Sequence, residues 1–264
     1  MCPASMFLVE ALPESRRLAG SRPFPQSPFA LLSYTGTLRG RCHSFELRWV
    51  TISDMAGISY EYRTAASEAS HNYLYGPVNE LLGDVPANAL VVDLGCGNGS
   101  FLSLFQKRGW QLYGSDFSPT GIEIARASYP DINFSLGNAE SMPEELATRA
   151  GQFDVVLSTE VIEHVYNPRG LLKTCYSLLK PGGALVLTTP YHGYLKNLLL
   201  AATGKLDQHF TVLWDHGHIK FWSHKTMHEV LAETGFIGIK FSGAGRIPWL
   251  WKSMVVRAEK PLQG

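Results

Sequence analysis

From Ile58 onward, apolar residues follow two alternating periods. Runs of strand length occupy 89–94, 111–116, 132–136, 153–158 and 184–189. Between them apolar residues recur at three- and four-residue spacing, the period of a helix with one buried face. Phe101, Leu102, Leu104 and Phe105 share such a face. A second helix runs through Ile122, Ile124 and Ala125, opened by Ser118 as cap and Pro119 at the first helical position. A third begins near Pro168, turns Leu171, Leu172, Cys175, Leu178 and Leu179 inward, and stops at Lys180-Pro181-Gly182-Gly183. A fourth spans 223–235 with Met227, Val230 and Leu231 inward. Strands at 237–241 and 253–258, joined through 243–248, complete the pattern as an antiparallel pair. Residues 59–82 carry Tyr60, Tyr62, Tyr73, Tyr75, Val78, Leu81 and Leu82 in a mostly helical pattern, so helices here would cover the mouth of a site. Strand and helix alternating through five units predict an α/β fold, a doubly wound, mostly parallel seven-stranded sheet.

Residues 1–54 lack this texture. They carry arginine and no lysine, with prolines and serines scattered without period. Arginine and serine point toward a transit peptide, and Glu10, Glu14 and Glu46 point away from one. The preferred expectation is a disordered or spurious extension before a domain over 55–264. At 264 residues and 45% hydrophobic, the chain can bury a full core in one domain. The 23 basic and 23 acidic residues cancel, which argues against broad nucleic-acid binding. The 4 cysteines, Cys2, Cys42, Cys96 and Cys175, form no Cys-x-x-Cys pair, and a reducing compartment, the cytoplasm, suits them. No stretch approaches the roughly 18 continuous apolar residues of a membrane span.

The first strand ends in Asp93-Leu94-Gly95-Cys96-Gly97-Asn98-Gly99 and leads straight into a helix. Strand, glycine turn and helix form the opening unit of a nucleotide-binding sheet, because glycines let the backbone bend and approach a ligand closely. The third glycine falls one residue earlier than in a dinucleotide fingerprint, and an acid stands two residues before the first. Asp116 ends the second strand about 20 residues beyond, where a carboxylate accepts from ribose hydroxyls. A helix cap is the other reading of Asp116, although Ser118 already fits that role.

The pattern Asp-x-Gly-x-Gly-x-Gly resembles motif I of the class I S-adenosylmethionine-dependent methyltransferases. Over residues 73–260 several further motifs agree in order, among them Glu160-x-x-Glu163-His164, Lys180-Pro181-Gly182-Gly183 and His216-Gly217-His218-Ile219-Lys220-Phe221. Together they are most similar to the ubiquinone-biosynthesis O-methyltransferases. The small-RNA 3′-terminal 2′-O-methyltransferases are a second cousin, and Lys220-Phe221-Trp222 suits them, but no basic stripe does. The resemblance implies S-adenosylmethionine as methyl donor, held by Asp93, Gly95, Cys96, Gly97, Asp116, Phe117, Asn138, Ala139 and Glu160. Asn138 stands where the family usually has aspartate to accept from the adenine amino group, and an amide oxygen can still do so. Tyr73 or Tyr75 would touch the methionine end.

Residues 191–222 are too long for a plain strand–helix connection and carry a large apolar payload, so they are expected to form a substrate lid. The alternative is that they cap the domain's own core. The expected acceptor is a small apolar or aromatic molecule with a hydroxyl, and residues 195–202 could also rest on a membrane surface. Transfer to oxygen requires in-line positioning and removal of a proton. His164 and His216 are the candidate bases. Both cousin families imply a divalent metal such as Mg²⁺. On one helical turn Glu160, Glu163 and His164 would converge, and His218 would complete the ligand set. A S-adenosylmethionine-binding module without catalysis remains the non-enzymatic reading.

Overall fold

The computed structural model describes residues 61–210, 212–213 and 217–262. The expectation for residues 1–54 lies outside them. The elements run α1 (His71–Leu82), β1 (Leu90–Leu94), α2 (Ser100–Ser103), β2 (Gln111–Asp116), α3 (Pro119–Ser128), β3 (Asn133–Leu136), α4 (Glu144–Ala147), β4 (Phe153–Thr159), α5 (Pro168–Leu178), β5 (Leu179–Pro190), α6 (Tyr194–Ala202), α7 (Leu206–Phe210), α8 (His224–Thr234), β6 (Ile237–Ala244) and β7 (Ser253–Glu259). The seven strands form one sheet in the order β3-β2-β1-β4-β5-β7-β6. The first five are parallel, and β7 pairs antiparallel with both β5 and β6.

Side chains in the central strands alternate between two cores, one per face. Val92, Leu94, Val156, Leu185, Leu187 and Val256 join Leu171, Leu172 and Cys175 of α5 and Met227, Val230 and Leu231 of α8. Their neighbours Val91, Val155, Leu157, Val186 and Val255 meet Leu74 and Val78 of α1, Phe101 and Leu102 of α2 and Ile122 of α3. Period-two alternation with both faces covered is what a central sheet in a three-layer fold requires. The helix starts use local hydrogen bonds. Ser118 Oγ accepts from Gly121 N at 3.2 Å, Asn167 Oδ1 accepts from Gly170 N at 2.9 Å, and Ser223 forms a capping box with Thr226.

Two expectations change. The helix after the glycine turn is one turn long and gives way to a 3-10 turn over Gln106–Arg108, leaving Leu104 exposed while Phe101, Leu102 and Phe105 stay buried. The tyrosine-rich segment becomes helical only from His71. Strand order reverses between β1 and β4, which opens a crevice at their carboxyl ends. The glycine turn and the Glu160–His164 segment both follow those ends.

Candidate active site

The glycine turn is tied to the second strand: Gly95 N and Cys96 N both donate to Ser115 O, at 2.7 and 3.1 Å. Gly95 sits at φ 83° and Gly97 at φ 54°, where side chains are strained. A Cβ on Gly95 would also collide with Val161, and one on Gly97 with the Tyr62 hydroxyl.

Asp116 closes the turn from below. Its Oδ2 accepts from Gly97 N at 2.9 Å and its Oδ1 from Ser118 N at 2.8 Å. The sequence offered ribose acceptor and helix cap as alternatives; the cap of α3 is Ser118, and Asp116 ties the glycine turn to that cap residue. Each oxygen keeps a lone pair for a ligand hydroxyl. Burial raises its pKa, and the backbone N–H groups act against that rise. Asp93 is buried on β1 with Oδ1 unpartnered. Burial, then the Asp116 charge, push its pKa to about 7. Cys96 is buried beside them, its thiol pushed up chiefly by burial.

Phe117 follows Asp116 and is 54% exposed, free to cover a flat ligand. After β3, Asn138 Oδ1 accepts from Glu140 N at 2.8 Å, so the oxygen expected to face adenine already closes a turn; Ala139 beside it is half-buried. Of the two tyrosines, Tyr75 packs on Phe105 in the core. Tyr73 instead reaches Ser253 Oγ at 3.4 Å.

The segment after β4 departs from the single helical turn expected of it. Glu160 takes a left-handed conformation at φ 53°. Its Oε1 accepts from Thr188 Oγ1 at 2.8 Å and its Oε2 from Ser253 Oγ at 3.3 Å. The turn proper covers Ile162 to His164, closed by His164 N donating to Val161 O at 2.9 Å. Glu160 is therefore held on β5 and β7 and does not join the group formed by Glu163 and His164, although its charge is still felt at Glu163. Burial, the largest influence, pushes the Glu160 carboxyl to about 7.

Glu163, His164 and His218 do converge: one ligand atom from each lies within 4.8 Å of the others. Ile219 N and Lys220 N both donate to Glu163 O, at 2.9 and 3.0 Å, which delivers His218 to the turn. The two imidazoles meet edge to face at 4.9 Å. Glu163 Oε2 accepts from Thr189 Oγ1 at 2.9 Å, while Oε1 is buried without a hydrogen bond, 3.9 Å from His164 Nε2. Burial first, then the Glu160 charge, raise the Glu163 pKa well above the carboxylate range. Burial and the neighbouring His164 and His209 push His218 down to about 4. His216, the other candidate base, lies outside the described residues.

Sequence reasoning missed a second histidine group. His192 follows β5 among His209, Phe210 and Phe221, ring centroids 5.0 to 6.1 Å away, with both ring nitrogens buried and unpartnered. The signal was the clustering of histidines after the fourth strand. His224 packs against Tyr191, Phe241 and Trp251.

The methyltransferase domain family matches residues 67–240. The chain belongs to this family. With it come the class I fold and the S-adenosylmethionine-dependent membership expected from the glycine turn. The ubiquinone biosynthesis O-methyltransferase of Cereibacter sphaeroides (strain ATCC 17025 / ATH 2.4.3) is 28% identical over 167 residues, covering 61% of this chain and 66% of that protein. The protein of the same name from Roseobacter denitrificans is 30% identical over 168 residues, with the same 61% and 66% coverage. The chain thus spans just under two thirds of the length of these relatives. Among solved structures, a Haemonchus contortus phosphoethanolamine N-methyltransferase in complex with S-adenosyl-L-methionine superposes with TM-score 0.52 at 16% identity, covering 71% of this chain and 53% of that one. The likeness to solved structures is one of fold. No helix among the described residues is long and apolar enough to cross a membrane.

Proposed function

We propose that this chain is a S-adenosylmethionine-dependent methyltransferase that methylates an oxygen of a small apolar or aromatic hydroxylated acceptor. The observation that carries the reading is the meeting of Glu163, His164 and His218 at the β4 end, beside the glycine turn. The turn suits the cofactor: Asp116 and unpartnered Asp93 Oδ1 offer acceptors, and Phe117 offers an exposed ring. The names of the O-methyltransferase relatives support oxygen as the methylated atom.

S-Adenosylmethionine supplies an activated methyl group, so the chain's task is to align the acceptor oxygen and take its proton. His164 stands at the crevice with Glu163 beside it, placed to accept that proton, and His218 fixes its ring from the other side. Two imidazoles and a carboxylate with a free buried oxygen also fit a divalent ion of the Zn²⁺ or Mn²⁺ kind. Such an ion would supply Lewis acidity that lowers the pKa of a bound hydroxyl. Glu160 is placed outside that set, on Thr188 and Ser253. The segment 191–222 is read as the acceptor lid. Its α6 leaves Tyr194, Leu195, Leu198 and Leu199 exposed, which also leaves a peripheral membrane contact open to it.

The test is release of S-adenosylhomocysteine with catechol and simple phenols, after exhaustive chelation and again with Mn²⁺, Mg²⁺ or Zn²⁺ restored. Turnover on a phenolic acceptor is the expected result. Full turnover in the chelated enzyme removes the metal and leaves His164 as base. Cofactor binding without turnover on any acceptor makes the chain a binding module.

A further inference from the structure

We propose that Asn98 is a positioning residue: it fastens a strap, residues 61–66, over the glycine turn, and the strap retains the bound cofactor. The proposal rests on the S-adenosylmethionine reading above. Asn98 stands between Gly97 and Gly99 and is buried. Its Nδ2 donates to two strap carbonyls, Thr64 O at 2.9 Å and Ala66 O at 3.1 Å. Its Oδ1 accepts from Ser100 N at 3.1 Å and Ser100 Oγ at 2.7 Å. One amide thus uses its donors on the strap and its acceptor on the start of α2. A residue needed only to begin the helix would require the acceptor alone.

The leading end of the strap is fixed on the other side of the turn. Tyr62 N donates to Thr120 Oγ1 at 3.1 Å, in the first turn of α3. The Tyr62 ring fills the space above two glycines: a Cβ on Gly97 would strike its hydroxyl, and one on Gly121 would lie 2.9 Å from its Cδ2. The strap therefore spans the glycine turn and the α3 start, the same two pieces that Asp116 joins from beneath. Residues 61–68 form neither helix nor strand, so a few bonds hold the segment in place. Segments held so thinly open at low free energy and act as covers for bound ligands.

Asn98→Asp separates the two halves of the side chain. An aspartate keeps the acceptor for Ser100 but sets an anionic oxygen against the carbonyls of Thr64 and Ala66. Tyr62→Ala removes the ring while leaving Asn98 intact, and guards against a folding defect in the first variant. The probe is S-adenosylhomocysteine, followed by stopped-flow dissociation and by hydrogen exchange of residues 61–70. Both variants should release it about tenfold faster than the parent, since about one to two neutral hydrogen bonds or an aromatic contact are lost. Exchange over 61–70 should slow when the parent binds the probe, and Asn98→Asp should lose that protection with its melting temperature close to the parent's. Release at the parent rate by either variant, from a parent that binds, overturns the strap and leaves the cofactor reading standing. A parent that does not bind S-adenosylhomocysteine overturns the cofactor reading and the retention role with it.

Discussion

The two walls of the crevice are finished to different degrees. Around the glycine turn side chains tie the backbone together: both Asp116 oxygens take backbone N–H groups and Asn98 uses donors and acceptor alike, while Asp93 Oδ1 and Ser115 Oγ are buried without a partner. Across the crevice, Glu163 Oε1 and both His192 nitrogens are buried with none. Buried polar atoms left unpaired are destabilising, so those on each wall are places where a ligand can complete the hydrogen bonding.

The sharpest way to break this contrast is to damage each wall alone. His164→Ala should lower methyl transfer by about 10²–10⁴-fold, the range for losing general acid–base assistance, with S-adenosylhomocysteine affinity unchanged. Steady-state kinetics beside calorimetry would show it; parallel loss of both would mean that the walls are not independent. Gly95→Ala should act on the other side, through folding. A left-handed conformation and a collision with Val161 together should remove about 2–5 kcal/mol in denaturant unfolding. Gly109→Ala is the control: it shares positive φ but would meet nothing within 4 Å, so it should lose only about 1 kcal/mol.

The same asymmetry explains what the sequence could and could not reveal. β1 and β4 were legible because both faces are buried and the runs are mostly apolar. The α3 and α8 starts were legible because Ser118-Pro119 and Ser223 are local signals. The turn after β4 was not, because the left-handed conformation of Glu160 is stabilised by Thr188 and Ser253, residues 28 and 93 positions away. Spacing alone put Glu160 and Glu163 on one helical turn, and tertiary hydrogen bonds hold Glu160 outside that turn. Asp116 was half legible: its place at the strand end was read, but its hold on Gly97 N depends on how β1 and β2 pair. The role of Asn98 was invisible, since its partners lie 32 and 34 positions earlier in a segment without periodicity.

Asp93 and His192 should also respond oppositely to pH. The Asp93 carboxyl is raised from 3.8 to about 7, so the native state holds its proton more tightly than the unfolded chain. Its stabilisation is full below about 3.8 and is lost as pH rises toward 7. Burial, aided by nearby His209, Lys196 and His218, lowers His192 from 6.5 to about 3. Its stabilisation is full above 6.5 and is lost as pH falls through that window. Asp93→Asn should therefore raise the melting temperature at pH 8 and not at pH 3.5. His192→Phe, set among Phe210 and Phe221, should stabilise by about 1–3 kcal/mol through removal of unpaired nitrogens, most of all in acid. Matching pH profiles for both variants would contradict the opposite titrations assigned to Asp93 and His192.

The smallest effect on folding is expected where the two readings of 191–222 part company. If α6 caps the core, its leucines should behave as core residues; if it faces an acceptor, they should be dispensable for stability. Leu198 is 50% exposed, and the only buried residue of α6 is Lys196, whose Nζ donates to Tyr191 O at 2.8 Å and Lys252 O at 3.3 Å. The helix is thus anchored by one polar contact and presents its leucines outward. Leu198→Ser should change unfolding free energy by no more than about 0.5 kcal/mol, as for other surface positions. Leu172→Ala, in the core beneath α5, should cost about 2–5 kcal/mol. On an acceptor that supports turnover, Leu198→Ser should raise KM with kcat nearly unchanged, because it removes contact with the bound molecule and not with the reacting atoms. A stability loss near that of Leu172→Ala, with KM unmoved, would return α6 to the core and place the acceptor elsewhere.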